Sequence, residues 1–252
     1  MTLLNVPEFA TVDPFTGMSA ANPGKVCNLV GGEWRAGDRH RDDIVDPMNG
    51  ARFLEVPDTD DFAPFIDGLR SCPKSGVHNP YRAPQRYLML GDVCARAAAL
   101  MHEKVVSEFF IELTQRVMPK SRAQCAGEYQ VTRTFLENFA GDRVRVLGRG
   151  FSNPGDHPGQ ESRGYRWPFG PVVVVAPFNF PLEIPALQVM GALFMGNRPL
   201  VKIDSKVSVV FEQFLRLLIH AGLPAGDLDL VHCRGANMGR LIDEAKDTIR
   251  LV

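Results

Sequence analysis

The sequence predicts an α/β fold, a doubly wound parallel sheet with helices on both faces and a protruding β-ribbon. Three observations predict it. From Pro171 to Val252, apolar runs of strand length alternate with stretches of helical periodicity across short connections, the pattern of a parallel sheet with right-handed crossovers. The run Pro171–Ala176 holds four successive valines with no polar alternation, as in a strand buried on both faces. Upstream, Arg143–Leu147, alternating charged and apolar, and Glu161–Trp167, alternating more loosely, flank Gly148–Gly159, which holds four glycines and two prolines and suits the turn of a long ribbon.

The elements follow in order. Residues 1–80 are rich in Pro, Gly and Asp and suit an extended arm with short strands, such as Asn28–Val30 and Arg52–Val56. From Pro84 three amphipathic stretches, Pro84–Met101, Lys104–Val117 and Arg122–Phe139, predict helices, weakened slightly by single glycines at Gly91 and Gly127. The polar ribbon at 143–167 suits an exposed flap or a subunit contact equally. After the valine strand, Leu182–Met195 is a helix stopped by Gly196-Asn197. Leu200–Ile203 is a second strand. Val207, Val210, Phe211, Phe214, Leu218 and Ala221 then share one helical stripe, with Glu212, Gln213, Arg216 and His220 mostly outside it. Asp229–His232, Asn237–Ala245 and Thr248–Val252 predict a strand, a helix and the start of a fourth strand. Ligands of such sheets bind beyond the carboxyl ends of the strands.

Composition narrows the function classes. Hydrophobic content of 45% and charged content of 23% are ordinary for a globular protein, and the net charge of −1 gives no reason to expect a surface for nucleic acid or acidic membrane. The apolar stretch 182–195 is too short to span a membrane. Cys27, Cys72, Cys94, Cys125 and Cys233 lie far apart without a C-x-x-C pair, which favours free thiols. Six scattered histidines suggest no metal site. The dinucleotide G-x-G-x-x-G, the P-loop, H-E-x-x-H and G-x-S-x-G are all missing.

One segment goes further: Pro168-Phe169-Gly170-Pro171, then Ala176-Pro177-Phe178-Asn179-Phe180-Pro181-Leu182. By itself it is a proline-rich turn with Asn179 placed as a helix cap. It also closely resembles the P-F-G … A-P-[WF]-N-F-P block of the aldehyde dehydrogenase superfamily. Asn197-Arg198-Pro199-Leu200-Val201-Lys202 is similar to the family's next block, and Ala221-Gly222-Leu223-Pro224-Ala225-Gly226 to the one after, in the family's order and spacing. The wording Phe180–Pro185 and Asp204–Ser208 looks most like the plant-type Δ1-pyrroline-5-carboxylate (glutamate γ-semialdehyde) dehydrogenases. The resemblance is strong from about Trp167, moderate over 82–166 and thin before that.

The resemblance implies a Rossmann-like cofactor-binding domain and a chemistry. A cysteine thiolate attacks the aldehyde, hydride passes to the nicotinamide, and a glutamate assists hydrolysis of the thioester. Asn179 corresponds to the asparagine that donates to the oxyanion, a role suited to an amide that never changes protonation state. Ala176, Pro177 and Phe178 line the cofactor, and Lys202 corresponds to the lysine that holds ribose hydroxyls; the plainer alternative is a surface lysine at a strand end. Where many members carry a glutamate, Ser205 stands, with Asp204 before it. An acidic group there disfavours a 2′-phosphate, so NAD is expected over NADP, either of which could be unbound in this chain alone.

The implied division is 1–80 as arm, 81–142 as the helical part of the cofactor domain, 143–167 as an oligomerisation ribbon and 168–252 as its parallel part. The family's catalytic cysteine and glutamate would follow Val252, and Cys233 reads as a small apolar residue. Two expectations follow. The chain is the cofactor-binding half of an enzyme oxidising glutamate γ-semialdehyde to glutamate in proline catabolism, in the mitochondrial matrix although no targeting segment is visible. Alternatively it is a truncated, inactive relative serving as a structural subunit. Its expected partners are a small aldehyde if a catalytic domain completes the site, and other copies or a larger complex.

Overall fold

The computed structural model describes residues 6–41 and 43–252. Their elements run β1 (Gly24–Lys25), β2 (Asn28–Val30), β3 (Glu33–Arg35), β4 (His40–Arg41), β5 (Leu54–Pro57), α1 (Ala63–Ser71), α2 (Gln85–His102), α3 (Lys104–Val117), α4 (Arg122–Asn138), β6 (Gly150–Pro154), β7 (Glu161–Tyr165), β8 (Pro171–Ala176), α5 (Glu183–Phe194), β9 (Arg198–Ile203), α6 (Ser208–His220), β10 (Asp229–Leu230) and α7 (Gly235–Glu244).

The main sheet has the order β3-β2-β10-β9-β8. β8, β9 and β10 are parallel, as the strand-helix alternation predicts. Alternate residues enter two separate cores. Leu29, Val201 and Leu230 face α2 to α6, whereas Val30, Leu200 and Val231 face α1 and α7. Both faces are therefore covered by helices, the doubly wound arrangement.

Three findings add to or correct the expectations. First, the expected strand Asn28–Val30 joins the main sheet: β2 pairs antiparallel to β10, with Leu29 opposite Leu230, and turns through Gly31 and Gly32 into β3. Both glycines have positive φ (58° and 91°), the geometry of a two-residue hairpin turn that matches strand twist. Second, Arg143–Leu147 is not a ribbon strand. It lies in a 3-10 segment, Gly141–Gly148, that packs on α2, where Gly91 leaves room for the carbonyl of Gly141. Only Val144 of that segment is buried, so its charge alternation reflects a one-residue anchor rather than a two-faced strand. The ribbon is β6 and β7, pairing Gly150 with Tyr165 through Pro154 with Glu161. Third, the valine strand is a sheet edge, with Val175 51% exposed. The expected fourth strand makes only two backbone bonds to it, Arg250 N–H to the Pro171 carbonyl (3.0 Å) and Val173 N–H to the Leu251 carbonyl (2.9 Å). Two bonds do not build a ladder. A groove of about 590 Å³ lies between β8, α5 and Leu251–Val252.

The stripe of α6 is buried as predicted, but Glu212 and Gln213 are buried too, at 0% exposure. The arm is what covers them. Glu212 accepts from the Cys27 N–H (3.0 Å) and pairs with Arg216 (2.8 Å), whose guanidinium stacks 3.9 Å from the Trp34 ring centroid. Gln213 accepts from the Thr11 N–H (2.9 Å) and donates to its hydroxyl (2.8 Å). Burial pushes Glu212 up to about 7 even with Arg216 beside it.

Candidate active site

The register of the parallel strands decides which residues share an edge. Val175 lies opposite Lys202 and Ala176 opposite Ile203, so the turn Pro177–Pro181 and the turn Asp204–Ser205 leave the sheet side by side at its carboxyl ends. Asn179 and the two phenylalanines around it are exposed on the first turn. Lys202 is 9% exposed, and its Nζ donates to the Ile203 carbonyl (3.1 Å). Asp204 accepts from the Lys206 N–H (3.0 Å), while Ser205 is buried, its carbonyl accepting from the Ser208 hydroxyl (3.3 Å).

Asn179 does not cap α5. The N-cap is Leu182, which supplies no side-chain bond. The cap comes from Glu128 on α4, whose Oε1 accepts from the Leu182 N–H (2.8 Å) and the Glu183 N–H (3.2 Å). Its Oε2 accepts from Lys120 (3.1 Å), whose ammonium sits 3.9 Å from the centroid of the Phe180 ring. Sequence reasoning missed this pair because its contacts lie more than 50 positions away. The one signal was an acidic residue in the interior face of an amphipathic helix. Glu183 is pushed up by burial and by the nearby charge of Glu128.

Asn197 and Arg198 of these blocks do structural work at the opposite edge. Asn197 accepts from the Phe169 and Gly170 N–H groups (2.7 and 3.0 Å), tying the turn before β8 to the start of β9. Arg198 pairs with Asp229 at 2.7 Å with both side chains buried, and Asp229 also accepts from the Gly31 N–H (2.8 Å). Such groups brace the amino ends of the strands and leave the carboxyl ends free for a ligand.

The arm also floors the site. His232, two residues past β10, donates its backbone N–H to Asn28 (2.8 Å), and its ring Nε2 lies 3.1 Å from the Cys27 carbonyl. Burial, with the Lys202 charge adding to it, pushes His232 down to about 3. The ring therefore stays neutral in the fold while the unfolded chain takes up a proton below about pH 6.5. Stability contributed by a neutral His232 is complete above pH 6.5 and is lost as pH falls toward 3, with a limiting slope of about 1.4 kcal/mol per pH unit. Denaturant unfolding between pH 7 and pH 4.5 is expected to show a shallower pH dependence in His232→Gln than in the parent chain. Equal slopes contradict the assignment. Burial raises the Cys233 thiol to about 11, leaving it protonated and a poor nucleophile at neutral pH. Among the described residues no group of three or more His, Cys, Asp or Glu could hold a metal ion, and no helix is long and apolar enough to cross a membrane.

The profile of the aldehyde dehydrogenase family matches residues 85–252, and curated relatives match nearly the whole chain. This chain belongs to the aldehyde dehydrogenase family. It is 52% identical over 96% of its length to a probable aldehyde dehydrogenase of Linum usitatissimum, covering 44% of that protein. It is 51% identical over 96% of its length to an Arabidopsis thaliana protein named Delta-1-pyrroline-5-carboxylate dehydrogenase 12A1, mitochondrial, again covering 44%. The chain thus spans less than half the length of these curated relatives. Among solved structures, an NADP-dependent glyceraldehyde-3-phosphate dehydrogenase from Bacillus halodurans, complexed with NADP, superposes with a TM-score of 0.72 at 22% identity, over 89% of this chain and 47% of that one. An NAD-dependent benzaldehyde dehydrogenase from Corynebacterium glutamicum gives 0.67 at 24% identity, over 90% and 48%. These likenesses establish the aldehyde dehydrogenase cofactor-domain fold; the family uses NAD or NADP.

Proposed function

We propose that this chain supplies the cofactor-binding half of an NAD-dependent dehydrogenase that oxidises L-glutamate γ-semialdehyde, the open form of Δ1-pyrroline-5-carboxylate, to glutamate in proline catabolism in the mitochondrial matrix. The observation that carries the reading is the 51% identity over 96% of the chain to a mitochondrial relative of that name. The layout at the carboxyl edge supports it: an exposed amide on a proline-bounded turn beside a nearly buried lysine at the next strand end.

The donor set fits a dinucleotide. Lys202, whose ammonium among the described residues donates only to the Ile203 carbonyl, has further N–H donors for ribose hydroxyls, and Ser205 and Asp204 stand beside it. Asp204 favours a free ribose over a 2′-phosphate, hence NAD. Ala176, Pro177 and Phe178 provide an uncharged wall at the end of β8. The bound nicotinamide would accept hydride from the substrate. Asn179 donates from its amide to the oxygen that becomes negative when a nucleophile adds to the aldehyde, and it needs no proton transfer to do so. The ribbon β6–β7, exposed along both strands and carrying Phe151 and Tyr165 outward, is assigned to contact between copies of this protein.

The test is NADH formation at 340 nm by the natural protein in a chain that extends through the nucleophile, with glutamate γ-semialdehyde compared with malonate semialdehyde and acetaldehyde. A kcat/KM for glutamate γ-semialdehyde at least about tenfold above the others is expected, the scale of one well-placed recognition contact. Preference for another aldehyde contradicts the substrate assignment.

A further inference from the structure

We propose that the Lys120–Glu128 pair is the positioning device for the Asn179 turn, an inference that rests on the reading of Asn179 as the oxyanion donor. The first amides of a helix have no partner inside it and are normally satisfied by a Ser, Thr, Asp or Asn at its own start. A local cap satisfies the amides but leaves the helix free to shift as a body. Here α5 has no local side-chain cap, and the amides of its N-cap Leu182 and first residue Glu183 converge on one carboxylate oxygen from α4. That bond fixes where α5 begins relative to a different helix, and so fixes Pro181, two residues after Asn179.

The same ion pair holds the turn from its other side. Lys120 bonds Glu128 and sits over the ring of Phe180, the residue next to Asn179. The Glu128 side chain is 1% exposed and that of Lys120 13%, so both charges are largely removed from water. An ion pair buried at this depth gives little net stability compared with apolar side chains of equal size. Its product is geometric: backbone on one side of the turn and an aromatic ring within it are held by one rigid pair. Asn179, itself exposed, inherits its position from these contacts and from Pro177 and Pro181.

The experiment uses Glu128→Ala, Glu128→Gln and Lys120→Met in this chain. Amide hydrogen exchange is read at Leu182 and Glu183 against β9, with the side-chain NH₂ resonances of Asn179 read by NMR. In Glu128→Ala the two amides are expected to exchange about tenfold faster while β9 is unchanged, as for the loss of bonds to a charged acceptor. The Asn179 NH₂ pair is expected to broaden or split. Glu128→Gln keeps an acceptor and is expected to restore amide protection without the Lys120 contact. Should Glu128→Ala fail to fold, Glu128→Gln and Lys120→Met decide the matter through the Asn179 resonances alone. A purely structural role would lower the melting temperature and leave those resonances unchanged, which overturns the proposal. In a chain extending through the nucleophile, kcat is expected to fall with KM for both substrates held within about twofold, the mark of an interaction felt in the transition state. If Asn179→Ala leaves kcat unchanged while Glu128→Ala still frees the turn, the reading of Asn179 fails and the clamp stands. Unchanged exchange and unchanged resonances remove the clamp whatever Asn179 does.

Discussion

Replacing Asn179 by Ala, in a chain that extends through the nucleophile, is expected to lower kcat by roughly 10²–10³, the loss seen for one oxyanion donor. NAD affinity is expected to change little, because the amide is assigned to the substrate oxygen and not to the dinucleotide. Stability is expected to stay within about 0.5 kcal/mol, since Asn179 is exposed and does not cap α5. Asn179→Asp is expected to be as poor as the alanine variant: its size is retained, but a carboxylate repels the developing charge instead of donating to it. Steady-state kinetics with a pre-steady-state burst measurement separates this loss in chemistry from slow product release. Turnover near normal in Asn179→Ala removes the assigned role.

The largest stability effect is expected at the other edge of the sheet. Asp229→Ala leaves the Arg198 guanidinium, on a side chain 7% exposed, without its carboxylate and the Gly31 N–H without its acceptor. Breaking one side of a buried pair costs about 3–5 kcal/mol, because the remaining charge is uncompensated. At about 2–4 °C per kcal/mol for a chain of this size, the melting temperature is expected to fall by roughly 10 °C. The double substitution Arg198→Met with Asp229→Leu is expected to recover most of that loss, since it removes both charges together. Calorimetry on Arg198→Met, Asp229→Leu and the double variant provides the cycle. A double variant no better than the sum of the singles shows that the pair's desolvation is not what the single variants expose.

Local pattern made the parallel half of the fold legible. The valine run, the stripe on α6 and the glycine-terminated helices each depend on residues within about a dozen positions, which is the reach of periodicity. The placement of Asn179, Lys202, Asp204 and Ser205 on one edge follows from that same alternation, because carboxyl ends of parallel strands lie together. Features set by distant partners were not legible. β10 is two residues long and joins β2 by pairing Leu230 with Leu29, a contact that no local window contains. Glu212 and Gln213 look like solvent-facing residues until the arm's backbone amides arrive to bond them. Glu128 looks like any helix glutamate until the start of α5 is brought to it. The ribbon misled for a different reason. Its second strand was legible, Glu161–Trp167 containing β7, but β6 lies in the glycine-rich stretch expected to be the turn, and the 3-10 segment before it imitates a strand's alternation.

The dinucleotide site at the carboxyl ends of β8 and β9 is the central claim, and an NMR titration of this chain with NAD tests it most directly. Backbone amide shifts are expected to move at Ala176, Phe178, Lys202, Asp204 and Ser205, with Asp229 and Asn197 at the opposite edge unmoved. Lys202→Ala is expected to weaken the response, and NADP to give a smaller one at the same concentration. Shifts confined to the opposite edge or to the ribbon, or a response to NAD that Lys202→Ala leaves intact, would contradict the account.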